Sequence, residues 1–310
     1  MQKVIKSLRE ALAAISDSHG RHLYDEREVR SLADMLLVEV CGITPADRIL
    51  CPDRQLTAVE QQRLAFVVRQ MQQGMPGQQA LGYAWFCDER FVVTPDVLIP
   101  RPETEELVRW ILQEVPDGTS PTILDVGTGS GCIAVTLGRL IHNSQVTAID
   151  LSTSALHIAQ QNACQQGVDN LQFVQCDVLE VAERLSCGES YPPLSTIFQR
   201  GFDLIVSNPP YVCQCEAVDM SDLVLRHEPA MALFVPDDDP LRFYRAIAQL
   251  ALHVLHPHGQ LYFEVNAAYG LATCDLLRQL GFDDVTLRPD VTGRDRMVRA
   301  VHHQSHPTAS

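Results

Sequence analysis

The sequence predicts an α/β protein: a doubly wound sheet preceded by a small all-helical N-terminal domain. Three observations predict it. Apolar residues recur at helical spacing through the first 75 residues, behind two capping boxes. From Thr122 onward, short apolar runs alternate with helical stretches, the pattern of strands joined by crossover helices. A glycine-rich segment joins the first of those runs to a helix. A length of 310 residues exceeds the usual single domain and suits one large domain with a small one.

In the N-terminal domain (1–75), residues 3–15 place Val4, Leu8, Leu12 and Ile15 on one helical face. Asp25-x-x-Glu28 opens a second helix through Val29, Leu32, Leu36 and Val40, and Gly42 ends it. Thr57-x-x-Glu60 opens a third through Leu64, Val67, Val68 and Met71, with Gly74 as its stop. The linker, 76–104, carries Phe86, Phe91, Val92, Val93, Val97, Leu98 and Ile99 broken at Thr94-Pro95-Asp96, which predicts a two-stranded ribbon. In the main domain (105–301), strands are predicted at Ile123–Val126, Val146–Ile149, Leu171–Val174, Leu204–Val206 and Leu261–Val265. Residues 186–201, with Pro192-Pro193, read as a surface insertion, and 302–310 as a disordered tail.

Composition narrows the function classes. Acids outnumber bases 39 to 24, a net charge of −15, whereas gripping many phosphates needs a basic face. Direct nucleic-acid binding is therefore not expected. No apolar run approaches the roughly 20 residues of a membrane span, and Lys6, Ser7, Arg9 and Glu10 interrupt the N-terminal apolar positions, so the reading is cytoplasmic. Ten cysteines contain no C-x-x-C and build no disulfide framework. His253, His256 and His258 read as the last turn of a helix and the turn at Pro257 and Gly259, without zinc-type spacing, so no metal is expected.

The first predicted strand runs into Asp125-Val126-Gly127-Thr128-Gly129-Ser130-Gly131 before a helix. Glycines at alternate positions let backbone approach a ligand and turn into a helix N-terminus. Asp150 ends the second strand, where a carboxylate can accept both hydroxyls of a ribose. Asp177, followed by Val178, ends the third, where it either meets an adenine amino group or caps the next helix. Acidic strand ends around one glycine loop suit a cationic ligand without pyrophosphate. S-adenosylmethionine has that character and NAD does not.

The fourth strand delivers Asn208-Pro209-Pro210-Tyr211. The prolines fix the backbone so that a carbonyl points outward with no neighbouring N–H to satisfy it. With the Asn208 side-chain oxygen it offers two acceptors to one –NH2 group. A nitrogen conjugated to a carbonyl or ring is a poor nucleophile, and holding both its hydrogens aims its lone pair at a methyl donor. Tyr211 can lie over the substrate plane and a cationic centre. The reaction these residues suit is methylation of an amide-like or exocyclic –NH2 nitrogen.

These segments, with Leu98-Ile99-Pro100-Arg101-Pro102-Glu103-Thr104-Glu105, Glu228-Pro229 before Ala232-Leu233, and Gly293-Arg294-Asp295-Arg296, resemble the HemK/PrmC family, the protein-glutamine N5-methyltransferases that act on peptide chain release factors. The resemblance covers nearly the whole chain. It implies a seven-stranded Rossmann-like methyltransferase sheet whose last strands lie near Val285–Arg288 and Met297–Val301. It also implies an N-terminal domain that recognises a bacterial release factor, and a target glutamine in a Gly-Gly-Gln loop. Three segments depart from or blur the pattern: Pro76–Gly82 lacks the usual isoleucine and tyrosine, and Glu264-Val265-Asn266 lacks a common glycine. His227 before Glu228 also occurs in sister enzymes that methylate a ribosomal-protein glutamine. That substrate, an amino group of DNA or RNA, and a non-catalytic scaffold are the alternatives.

Overall fold

The computed structural model describes residues 1–16, 20–189 and 201–303. The described chain divides into two units, Met1–Tyr83 with Ser221–His227, and Ala84–Met220 with Glu228–Ser310.

The first unit is helical: α1 (Gln2–Ala13), α2 (Glu26–Cys41), α3 (Pro45–Leu50), α4 (Ala58–Gln72) and α5 (Gly77–Leu81). Both expected capping boxes form. Asp25 accepts from the backbone N–H of Arg27 and Glu28 at 2.7 and 2.8 Å, while Glu28 accepts from the Asp25 N–H at 2.7 Å. Gly42, at φ +61°, closes α2 in the left-handed conformation that only glycine adopts cheaply. Leu12, Leu36, Leu37 and Met71 are wholly buried at the centre. The short helices α3 and α5 have no long apolar period and were not expected. Nor was the segment Ser221–His227, which belongs to this unit; the Gln79 side-chain amide donates to the His227 carbonyl at 2.8 Å.

From Tyr83, the last residue of the Met1–Tyr83 stretch of the first unit, the chain enters a two-stranded sheet, β1 (Tyr83–Phe86) and β2 (Glu89–Val92). Its turn falls at Cys87-Asp88, both at positive φ (48° and 63°), and not at Thr94-Pro95-Asp96 as the proline suggested. Two consecutive left-handed residues make the tight turn that matches strand twist, but neither is the Asn or Gly that signals it in a sequence.

A seven-stranded sheet follows, with strands β3 (Thr122–Val126), β4 (Gln145–Asp150), β5 (Leu171–Gln175), β6 (Phe202–Ser207), β9 (Leu255–Glu264), β10 (Asp283–Pro289) and β11 (Asp295–Val301). The spatial order is β10-β11-β9-β6-β3-β4-β5, parallel from β9 to β5 and antiparallel where β11 pairs with β9 and β10. A second small sheet pairs β7 (Val212–Cys213) with β8 (Phe234–Val235). Side-chain alternation along each strand feeds two cores. On one face Ile123, Ala148 and Val206 meet α6 (Pro102–Glu114), α7 (Cys132–Leu140) and α8 (Thr153–Gln165). On the other, Leu124, Val126 and Ile205 meet α9 (Val178–Ser186) and the helices Arg242–Val254 and Gly270–Gln279.

Two expectations are corrected. His256 and His258 lie in the early part of β9, not at a helix end; only His253 sits in the last turn of its helix. His302 does not begin a loose tail: its N–H donates to the Gly259 carbonyl at 2.8 Å and its carbonyl accepts from His258. Of the expected insertion at 186–201, residues 190–200 lie outside the described residues, as do 304–310 of the tail. Among the described residues no helix is long and apolar enough to cross a membrane.

Candidate active site

The chain leaves β3 towards β4 and β5 on one side, and later fills β6 and β9 on the other. A crevice therefore opens at the carboxyl ends of β3 and β6, where the order reverses. A cavity lies there, lined among others by Gly127, Thr128, Gly129, Ser130, Asp150, Asp177, Val178, Asn208, Pro209 and Pro210. Arg101, Thr104, Met231, Phe243 and Ile247 complete its walls. Three residues expected to contact ligand do not line it: Asp125, Gly131 and Tyr211.

Each has another place. Asp125 is wholly buried beneath the loop, accepting from the Thr128 hydroxyl at 2.6 Å and the Ala134 N–H at 3.2 Å. Burial pushes its carboxyl up to about 7, against the pull of those two hydrogen bonds and with a further push from Asp150. Gly131 is the residue before α7, and a Cβ there would lie 2.9 Å from the Ala159 Cβ of α8, so its glycine serves helix packing. By contrast, a Cβ at Gly127 or Gly129 would meet no protein atom within 4 Å; like Gly131 (φ 79°), both residues hold positive φ (72° and 55°). These two expose bare backbone to the cavity. Asn162 of α8, fully buried and not singled out from the sequence, donates to the Ser130 carbonyl at 2.8 Å and anchors the loop.

Asp150 holds the loop from the neighbouring strand. One oxygen accepts from the Gly129 N–H at 2.9 Å, the other from the Ser152 N–H at 2.8 Å. The N-cap of α8 is Ser152, so Asp150 is not spent on capping. Burial raises its pKa, and the backbone hydrogen bonds oppose that. Asp177 does cap: it is the N-cap of α9, accepting from Leu179 at 2.9 Å. It also lines the cavity, so both sequence readings of this residue remain compatible with its position.

From the cavity wall inward a hydrogen-bond chain supports Asn208. Its Nδ2 donates to the Thr104 hydroxyl at 3.1 Å, and that hydroxyl donates to Glu264 Oε2 at 2.6 Å. The Tyr211 hydroxyl donates to the other carboxylate oxygen at 3.1 Å. Glu264 is 1% exposed. Burial raises its pKa, while Thr104, Tyr211 and the Arg296 charge hold it down and Glu103 raises it further. Burial beside that carboxylate raises the Tyr211 phenol too. Tyr211 is thus drawn back into the protein and does not cover the cavity. Sequence reasoning gave Thr104 and Glu264 no role in the site. The one available signal was an acid interrupting the apolar run Leu261-Tyr262-Phe263-Glu264-Val265.

A cationic, pyrophosphate-free cofactor fits this cavity: bare glycine backbone, a carboxylate at Asp150 and apolar walls from Met231, Phe243 and Ile247. Among the described residues no group of three His, Cys, Asp or Glu could hold a metal.

Residues 119–272 match the methyltransferase domain family, and 10–82 match the PrmC N-terminal domain. Residues 52–183 also match the protein-L-isoaspartate(D-aspartate) O-methyltransferase family. The fold is shared with the hMettl16 catalytic domain, solved with an RNA hairpin, at a TM-score of 0.53 and 14% identity, covering 99% of this chain and 94% of that one. The fold and the site define an S-adenosylmethionine-dependent methyltransferase. Among its relatives, the release factor glutamine methyltransferase of Bacteroides thetaiotaomicron is 41% identical over 279 residues, 90% of this chain and 94% of its own. Those of Flavobacterium psychrophilum and Bacillus subtilis are 39% and 32% identical over 280 and 306 residues, covering 89% and 97% of this chain and 93% and 100% of theirs. The chain belongs to the release factor glutamine methyltransferase family.

Proposed function

We propose that the chain transfers a methyl group from S-adenosylmethionine to the side-chain amide nitrogen (N5) of the glutamine in the Gly-Gly-Gln motif of a bacterial peptide chain release factor, in the cytoplasm and without direct contact to nucleic acid. The observation that carries this is the pairing of Asn208, Pro209 and Pro210 with Gly127–Ser130 and Asp150 around one cavity. The substrate follows from the named relatives, which span nearly the whole chain at up to 41% identity.

Bound S-adenosylmethionine supplies an electrophilic methyl on a sulfonium. Asp150 would accept the ribose hydroxyls, Asp177 and Val178 would flank the adenine, and Gly127–Ser130 would follow the amino-acid portion. The Asn208 side-chain oxygen and the Pro209 carbonyl would accept the two hydrogens of the glutamine amide. Holding both tilts the nitrogen lone pair out of conjugation with its carbonyl and towards the methyl group. After transfer the nitrogen carries one proton too many; it is held in a hydrogen bond to one of these weakly basic oxygens and is lost to water, which restores the neutral amide. The helical unit, in this reading, contributes release-factor recognition remote from the reacting atoms.

Purified protein, labelled S-adenosylmethionine and release factor should give one methyl on the Gly-Gly-Gln glutamine by mass mapping. A short Gly-Gly-Gln peptide should be a poor substitute. Preferential methylation of a ribosomal protein or of nucleic acid would overturn the substrate assignment.

A further inference from the structure

An asparagine amide is nearly symmetric in shape but opposite in function at its two ends. Turned one way, Asn208 offers its oxygen to a substrate –NH2; turned the other way, it sets donor against donor. What decides between them is the partner in the same wall, the Thr104 hydroxyl, 3.1 Å from Nδ2. A hydroxyl can donate or accept, so Thr104 alone settles nothing. Its proton is committed to Glu264 at 2.6 Å, and with the Tyr211 hydroxyl donating to the other oxygen the carboxyl group accepts on both sides. Thr104 can then only receive from Asn208, which must present its NH2 there and its oxygen elsewhere.

Glu264 closes β9, and strand register places it level with Asn208: Ser207 pairs with Phe263 in the residue before each. Its neighbours Tyr262, Phe263 and Val265 are wholly buried apolar or aromatic side chains. A carboxylate among them is costly unless its acceptors are used, and packing alone would be served by an apolar residue. Both oxygens are used, on Thr104 and on Tyr211, and Arg296 offsets part of the charge.

We propose that Glu264 is a positioning residue for methyl transfer: through the Thr104 hydroxyl it fixes the side-chain amide of Asn208 with the oxygen free for the substrate –NH2. This rests on the assignment of Asn208 as an acceptor for the target nitrogen.

The test is a set of conservative variants of the full chain. Thr104→Val should lower kcat roughly 10- to 100-fold, the effect of losing one orienting hydrogen bond, with KM for release factor and affinity for S-adenosylmethionine little changed. Thr104→Ser, which keeps the hydroxyl, should restore kcat to within about threefold. Glu264→Gln should lower kcat on its own but add nothing in the Thr104→Val background, because it acts through that hydroxyl. An equal further loss in that background would mean that Glu264 works through Tyr211 instead and would overturn the proposal. So would a Thr104→Val protein with kcat near that of the unchanged chain.

A second readout does not depend on the substrate. In protein labelled with [15N]asparagine, the Asn208 side-chain NH2 signal is identified by its loss in Asn208→Ala. Its hydrogen exchange should be slow, faster in Thr104→Val and Glu264→Gln, and slow again in Thr104→Ser. Equal exchange in all four would sink the proposal even if release factor proved not to be the substrate.

Discussion

Asp150, at the end of β4, accepts a 2.9 Å hydrogen bond from the Gly129 N–H in the loop that follows β3, so one strand end holds the backbone of its neighbour's glycine loop in place. The same carboxylate faces the cavity. In the proposed cofactor site, replacing it removes the acceptor for the ribose and loosens the loop together. A charge-assisted hydrogen bond contributes about 1.5–3 kcal/mol, so Asp150→Ala should weaken S-adenosylmethionine binding at least about tenfold by calorimetry. Unchanged affinity in the folded variant would remove Asp150 from the cofactor site.

Asn208 lies at the cavity wall and its side chain takes part in no helix cap or strand ladder. Asn208→Ala should keep the melting temperature within a few degrees and most of the cofactor affinity. Turnover on release factor should fall by roughly 100-fold or more, as when a preorganised polar contact to the reacting group is removed. Turnover within a few-fold of the unchanged chain would refute the acceptor-pair mechanism.

The buried Asp125 titrates in an unusual direction for a carboxyl. Its folded pKa, about 7, stands above the ordinary 3.8, so the native state binds the proton more tightly than the unfolded chain does. Its contribution to stability is then full below about pH 4, declines as pH rises, and is gone above about pH 7. Asp125→Asn abolishes that titration. The melting temperature of the unchanged protein minus that of the variant should fall between pH 5 and pH 7 and level off above it. A flat difference across that range would mean that Asp125 is not raised.

Arg101 grips both oxygens of Glu228 through one nitrogen, at 2.6 and 2.8 Å, and the Glu228 side chain is 1% exposed. Removing the arginine would strand a buried carboxylate, which typically costs about 3 kcal/mol or more. Arg101→Met should lower the melting temperature by roughly 5–10 °C. Adding Glu228→Gln should recover part of the loss, since the stranded charge goes with it. Recovery separates the electrostatic origin from lost packing, which the second substitution would not repair.

What the sequence by itself determined is local in its physics. The alternating glycines of 127–131, the two prolines after Asn208 and the capping boxes at Asp25 and Thr57 act through φ preferences and hydrogen bonds over a few residues. They were legible for that reason, and alternation of apolar runs with helices gave the sheet and the position of its crevice. Tertiary structure alone decided which of those residues face the cavity: Asp125 and Tyr211 turn into the protein, while Asp177 caps α9 and still lines the cavity. It alone brought Thr104 to Glu264, 160 positions away, and Ser221–His227 to the helical unit. Such meetings depend on strand register and on which helix covers which face. Those are set by the packing of the whole core, and no spacing within a single segment carries them.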